Sequence, residues 1–316
     1  MNPENRMGNN ISPELKEKTT HHPYVSIIIP VYNDENGIQD TLLSLFNQNY
    51  PEDKFEIIVV DNNSTDNTHK IILKTVLGFD GNIVIKNEKK TGSYAARNKG
   101  LQLAKGEILA FIDSDMTVKP DWLQKCVHRM ITEKTDYIGC GIRVHSANKN
   151  PSLCERYQIA LGFPVKDYME IDGYSPTACL FVRRTVIDAV GKFDDRLLSG
   201  GDVEFGTRVR DHGFKMTFDP DNIMYHPART SFKTLLKKQK RVTLGQIELR
   251  RLFPERFKKN IPKDIFISLI QCLPIASPKV LLKLSKSKAD FPPLFVLFYI
   301  LRLYTNGIKI INRCVF

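Results

Sequence analysis

No Cys-x-x-Cys pair and no spacing of a structural metal cage occurs among the six cysteines of this 316-residue chain, Cys126, Cys140, Cys154, Cys179, Cys272 and Cys314. Six thiols so scattered make no disulfide framework, and a reducing compartment is the simpler reading. The start lacks the apolar run of a signal peptide: residues 1–23 are mostly polar and read as a loose cytosolic leader. Internal repeats and low-complexity tracts are missing too, which excludes fibrous and disordered classes. The tail has no run of the ~20 apolar residues a membrane-spanning helix needs; its two apolar stretches, 265–275 and 291–303, have 11 and 13 residues. Acidic side chains are scarce at the end of the chain. Residues 227–316 hold 19 basic and 4 acidic groups (net +15), whereas residues 1–226 hold 27 and 31 (net −4), so the tail carries all of the formal +11.

What is present suits one enzyme-sized core with an appendage: 42% of residues are apolar and 26% charged. From Tyr24 onward, β-branched runs alternate with amphipathic stretches. Strands are expected at 25–30, 56–61, 82–86 and 107–113, with helices at 36–48, 66–77 and 93–104 between them. Continuous Val/Ile runs mark strands buried on both faces, and this spacing predicts a mostly parallel sheet with right-handed crossovers. Such sheets bind ligands beyond the carboxyl ends of their strands. Polar residues gather at those ends: Tyr32-Asn33-Asp34, Asp61-Asn62-Asn63-Ser64 and Asp113-Ser114-Asp115. Further on, the pattern predicts a helix over 120–131, strands near 137–142 and 177–182, a short helix over 184–190, and a helix over 202–212 closed by Gly213.

The tail opens with a strongly basic helix over 232–251, and lysines 258, 259, 263, 279, 283, 286 and 288 flank the two apolar stretches. Apolar segments too short to span, set among cations, predict an amphipathic helical appendage over 231–316 on the cytoplasmic membrane face. Ordinary packing on the globular domain is the competing reading. Nucleic acid is not an expected partner, because the lysines interleave with Leu, Ile and Phe rather than with exposed aromatics or a groove-reading helix.

Two carboxylates one residue apart at a strand end, Asp113 and Asp115, can offer oxygens to Mg²⁺ or Mn²⁺ beside substrate phosphates. Asp61 ends a second strand, and Arg97 lies in the stretch Gly92–Gly100 near a helix start, where phosphate oxygens are favoured. The pieces Pro30-Val-Tyr-Asn33, Val60 to Asp66, Ala96 to Gly100 and Asp113-Ser-Asp115, in this order, closely resemble the family-2 glycosyltransferases, which have the α/β GT-A fold. The resemblance covers 25–226, within a catalytic domain expected over 24–230.

That resemblance implies an inverting, metal-dependent transfer from a nucleoside-diphosphate sugar, a UDP-sugar first, to a hydroxyl of a glycan or lipid-linked acceptor. Pro30 and Tyr32 would line the nucleotide site, with Ser114 among the donor-binding residues. Asp61 would hold the base or ribose, and Arg97 would sit near the nucleotide. Asp113 would face the ribose or the cation, Asp115 would ligate Mn²⁺ or Mg²⁺, and His226 would complete the metal site. Asp202 would be the base, its place at a helix start holding it ionised; Gly201 stands where the family usually has glutamate, and Glu204 is the reserve. Arg229, Lys237, Lys238 and Arg241 could approach the diphosphate, and a solvated basic face explains them almost as well. Trp122 and Phe193-Asp194 read as scaffold and loop. A polyprenyl-phosphate sugar synthase and a non-catalytic sugar-nucleotide module remain alternatives.

Overall fold

The computed structural model describes residues 22–257, 278–286 and 290–314. The leader through residue 21, Lys258, Lys259, Lys263, the stretch 265–275 and Lys288 lie outside the described residues, as does the side chain of Lys279.

The expected alternation produces β1 (Val25–Val31), α1 (Ile38–Phe46), β2 (Phe55–Asp61), α2 (Thr68–Val76), β3 (Asn82–Asn87), α3 (Ser93–Leu103) and β4 (Ile108–Ile112). Every residue of β1, β2 and β4 is buried, as strands covered on both faces must be. The second half adds α4 (Trp122–Thr132), β5 (Tyr137–His145), α5 (Leu153–Leu161), α6 (Val165–Asp167), β6 (Cys179–Arg183), α7 (Arg184–Val190), α8 (Gly201–Asp211) and β7 (Met216–Pro227). Seven strands form one sheet in the order β3-β2-β1-β4-β6-β5-β7. The first four are parallel, β6 runs against β4 and β5, and β7 is parallel to β5.

The chain winds outward from β1 through β2 to β3, then returns along α3 to place β4 on the other side of β1. The crevice beyond the carboxyl ends of β1 and β4 is therefore the topological switch point, where open α/β sheets bind ligands. Proline is tolerated at Pro30 because it lies past the last β1–β4 pairing, Ile28 with Phe111, so its missing N–H costs no ladder bond on that side. The main core gathers β-branched residues of β1, β2 and β4 with Trp122, Tyr137, Phe181 and Phe205.

The carboxyl-terminal part comprises α9 (Phe232–Leu252), α10 (Pro254–Phe257), α11 (Pro278–Ser285) and α12 (Phe291–Cys314). Ser231 caps α9 by accepting from the Thr234 amide at 3.3 Å. Leu249 reaches the main core, while Leu235 joins Tyr157 of α5, Leu284 of α11 and Leu294, Leu297 and Leu301 of α12 in a second one. Helix α12 runs past Leu303 to Cys314, farther than its apolar run suggested. Residues 291–312 are by length and composition able to cross a membrane, at mean hydropathy 1.5, and 22% of that window is buried inside the protein.

Candidate active site

At the switch point the ends of β1 and β4 are stitched together. Ser114 Oγ donates to Asp34 Oδ2 at 2.6 Å, and Thr41 Oγ1 on α1 donates to the Ser114 carbonyl at 2.6 Å. Burial pushes the Asp34 carboxyl above its usual range, with Asp115 adding to the rise and the Ser114 and Gly37 donors opposing it. The β1 and β2 loops are joined in turn: the Asn33 amide donates to Ser64 Oγ, and the Thr65 amide to Asn33 Oδ1. Asn62 accepts from the Gly92 amide and donates to the carbonyls of Glu88 and Lys90, fixing the approach to α3.

Asp61 is almost fully enclosed. Its Oδ1 accepts from the Ser64 amide at 2.9 Å and its Oδ2 lies 3.2 Å from His69 Nδ1, so the carboxylate organises this loop and half-exposed His69 is what reaches solvent. Pro30 is buried within β1, whereas Tyr32 is 59% exposed at its rim. Arg97 is 3% exposed and donates through Nη2 to Asp113 Oδ1; it is Asp113, with its side chain 40% exposed and the guanidinium as its partner, that faces the crevice.

Asp115 and His226 are brought together by backbone. Thr117 and Tyr225 exchange both amide bonds, 3.0 and 2.9 Å, which clamps the chain leaving the aspartate triplet onto β7. His226 Nε2 then lies 3.6 Å from Asp115 Oδ2. The Pro227 carbonyl lies 2.6 Å from His226 Nδ1, so Nδ1 donates and the ring presents Nε2 to the aspartate. An imidazole oriented by a carbonyl beside a half-exposed carboxylate is a donor pair that fits a divalent cation. Among the described residues no three His, Cys, Asp or Glu side chains form a closed cage. The pair therefore suits a cation that keeps water and substrate oxygens as its other ligands.

Asp202 stands one residue inside α8, whose start is capped by Gly200 at φ 87° rather than by the aspartate. Its Oδ1 accepts from the Val203 amide at 3.0 Å and from Tyr94 Oη at 3.3 Å. Sequence reasoning expected the helix start to keep this carboxyl ionised. Burial instead pushes its pKa up, and the Val203 amide, Arg97 and the Tyr94 hydroxyl pull it back only in part. Tyr94 also explains Gly201: a Cβ on residue 201 would stand 2.7 Å from the Tyr94 ring, so a glutamate there and this tyrosine exclude one another. Tyr94 and Arg97 share one face of α3 three residues apart, which links Asp202 to Asp113 through a single helix turn. Glu204 is engaged elsewhere, paired with Arg208 at 2.7 Å and Arg256 at 3.8 Å. Trp122 is fully buried against Phe181, and Phe193 packs on Phe205.

Residues 26–183 match the profile of glycosyl transferase family 2, and residues 108–308 match that of glycosyl transferase family group 2. The chain belongs to glycosyl transferase family 2. Among curated relatives, the transferase is 38% identical over 231 residues to glycosyltransferase AglE of Haloferax volcanii, covering 73% of this chain and 75% of that one. It is 26% identical over 226 residues to a dolichyl N-acetyl-alpha-D-glucosaminyl phosphate 3-beta-D-2,3-diacetamido-2,3-dideoxy-beta-D-glucuronosyltransferase of Methanococcus voltae, covering 68% and 70%. Its fold matches the Pyrobaculum calidifontis mannosyltransferase in complex with GDP-Man and Mn²⁺ at TM-score 0.61 and 18% identity, over 92% of this chain and 87% of that one. The Staphylococcus aureus TarS fragment 1–349 in complex with UDP-GlcNAc matches at TM-score 0.55 and 19% identity, over 90% and 88%. The architecture is thus the GT-A fold.

Asp34, Tyr94 and His69 are the residues of this site that sequence reasoning assigned no role. For Asp34 the signal was its place after β1; nothing in the sequence tied Tyr94 to a residue 108 positions away.

Proposed function

We propose that this transferase moves a sugar from a nucleoside-diphosphate donor, a UDP-sugar first, onto a hydroxyl of a lipid-linked or surface-polysaccharide precursor, with inversion, at the cytoplasmic face of a membrane. The observation that carries the reading is one run of contacts at the switch point: Asp202 to Tyr94, Arg97 to Asp113, and Asp115 to His226. It sets a buried carboxyl and a cation-binding pair at the same end of the sheet.

Asp115 and His226 would hold Mn²⁺ or Mg²⁺, with Asp113 beside them. The cation would offset the charge that develops on the departing diphosphate. Asp202 would accept the proton of the incoming hydroxyl, and its raised pKa brings it nearer the working pH, where a general base is most effective. Tyr94 would hold that carboxyl toward the crevice by its hydroxyl. Arg97 would fix Asp113 against rotation, so that Asp113 keeps one oxygen for the ribose or the cation. Tyr32 would offer its exposed ring to the nucleotide. The acceptor class is supported by the dolichyl-phosphate-linked sugar on which the Methanococcus relative is named as acting and by the apolar stripe on α12, where Val296, Ile300 and Leu303 are exposed along one face.

Release of nucleoside diphosphate in the presence of Mn²⁺, measured with a panel of donors and acceptors, tests the reading. Asp202→Asn is expected to lose about 10²- to 10⁴-fold in turnover with donor affinity retained. Asp115→Ala is expected to lose metal-dependent donor affinity with the fold intact. Full turnover in either variant contradicts the assignment.

A further inference from the structure

A cavity of about 490 Å³ opens where β7 passes into α9, and five of its seven lining side chains are cationic: Arg229, Lys237, Lys238, Lys240 and Arg241, beside Thr234 and Leu244. Among the described residues none of the five forms an ion pair. Arg229 Nη1 is buried with no hydrogen-bond partner. Lys238 Nζ lies 5.4 Å from the centre of the Phe163 ring, its ammonium over an aromatic face rather than in water. Lys237, Lys240 and Arg241 are exposed, but the charged ends of Arg229 and Lys238 are withdrawn from water, which a purely solvated basic surface does not do. Burial pulls Lys238 down to about 8, helped by Arg229 and Arg241, and lowers Arg229 for the same reasons. Five cations gathered without an ion-pair partner, with only the carboxylates of Asp115 and Asp113 acting from outside the cavity, repel one another, and an entering anion offsets that repulsion.

The sequence allowed these cations to approach the donor's diphosphate. On the functional reading above, however, that group sits at Asp115 and His226, and neither they nor Arg97 and Asp113 line this cavity, so the cavity is read as holding a different anion. The cavity is nonetheless close enough for Asp115 to act on Arg229 and Lys238. An anion beside the donor but outside its site belongs to the acceptor. Phosphate is the anion that an arginine fork with clustered lysines recognises. Leu244, 37% exposed at the rim, gives the entrance an apolar edge suited to a hydrocarbon chain.

We propose that this cavity binds the phosphate of a prenyl-phosphate-bearing acceptor, as a second anion site separate from that of the nucleotide. The proposal rests on the assignment of the donor to the Asp115 side. Calorimetry on the full chain in detergent, with farnesyl phosphate, farnesol, and UDP or GDP with Mn²⁺ as probes, distinguishes the two phosphate sources. The wild type is expected to bind farnesyl phosphate at least tenfold more tightly than farnesol. Lys238→Met and the double variant Lys237→Ala/Arg241→Ala are each expected to weaken farnesyl phosphate at least tenfold at an unchanged melting temperature, leaving nucleotide affinity within twofold. Asp115→Ala is expected to do the opposite. If the cavity variants weaken the nucleotide instead, or neither probe, or if farnesol binds as tightly as its phosphate, the proposal is wrong. Loss of farnesyl phosphate in the cavity variants, from a protein that binds no nucleotide at all, would uphold the cavity and overturn only the donor reading.

Discussion

Tyr94 stands against Gly201 and Asp202 at once, and the two contacts have one origin: without a side chain at 201, the ring can lie over the start of α8 and aim its hydroxyl at the carboxylate. On the proposed reading, the departure at Gly201 exchanges one positioning group for another, with Tyr94 taking up the contact to Asp202. The hydroxyl donates to the ionised form of Asp202 and so lowers its pKa. Removing it in Tyr94→Phe therefore raises that pKa further. The acid limb of the kcat/KM profile is expected to move to higher pH, with a loss of several-fold below the limb and a smaller one above it. A pH–rate series on both proteins checks this; an unmoved limb would make Tyr94 packing alone. The strand-end carboxylates were legible because Asp61, Asp113 and Asp115 end apolar runs. Their partners were not, because the partners arrive through tertiary contact.

At the scale of elements, β1 to β4 and their helices were legible for a plain reason: β-branched runs closed by polar residues have few other folds open to them. Helix α5 was not. It is nine residues long and its sole clear signal is the Ser152–Glu155 capping box. Helix α12 was read short because its apolar run ends at Leu303, although Tyr304 to Asn312 continue in helical register. This helix carries two apolar stripes. Leu294, Leu297 and Leu301 meet the second core, while Val296, Ile300 and Leu303, 56%, 43% and 38% exposed, meet no comparable surface among the described residues. If the second stripe lies in a membrane interface, replacing its three residues with serine removes apolar contact without opening either core. Co-sedimentation with anionic vesicles is expected to fall several-fold at an unchanged melting temperature, and undiminished sedimentation would count against docking by α12. Cutting the chain after Arg251 is a poorer test, since it strips cover from Tyr157 and Leu235.

Over the whole molecule charge is unevenly divided: residues 1–226 carry a net −4 and residues 227–316 a net +15. Ligands that bind only the folded chain raise its melting point, by about 2.7 kcal/mol of stability at a hundredfold excess over Kd. A matched nucleotide with Mn²⁺ is expected to raise Tm by a few degrees, and the same nucleotide with chelator by much less. Equal shifts in both conditions would remove the cation from donor binding. One further property follows from how β7 leaves the sheet. Only two residues, Pro227 and Ala228, separate His226 from Arg229, and α9 begins at Phe232. If the donor and acceptor ends of the reaction lie where we propose, that junction would work as a ruler between them. Drift toward new acceptors could then exchange the side chains along it, but inserting or deleting even one residue would throw one end out of step with the other.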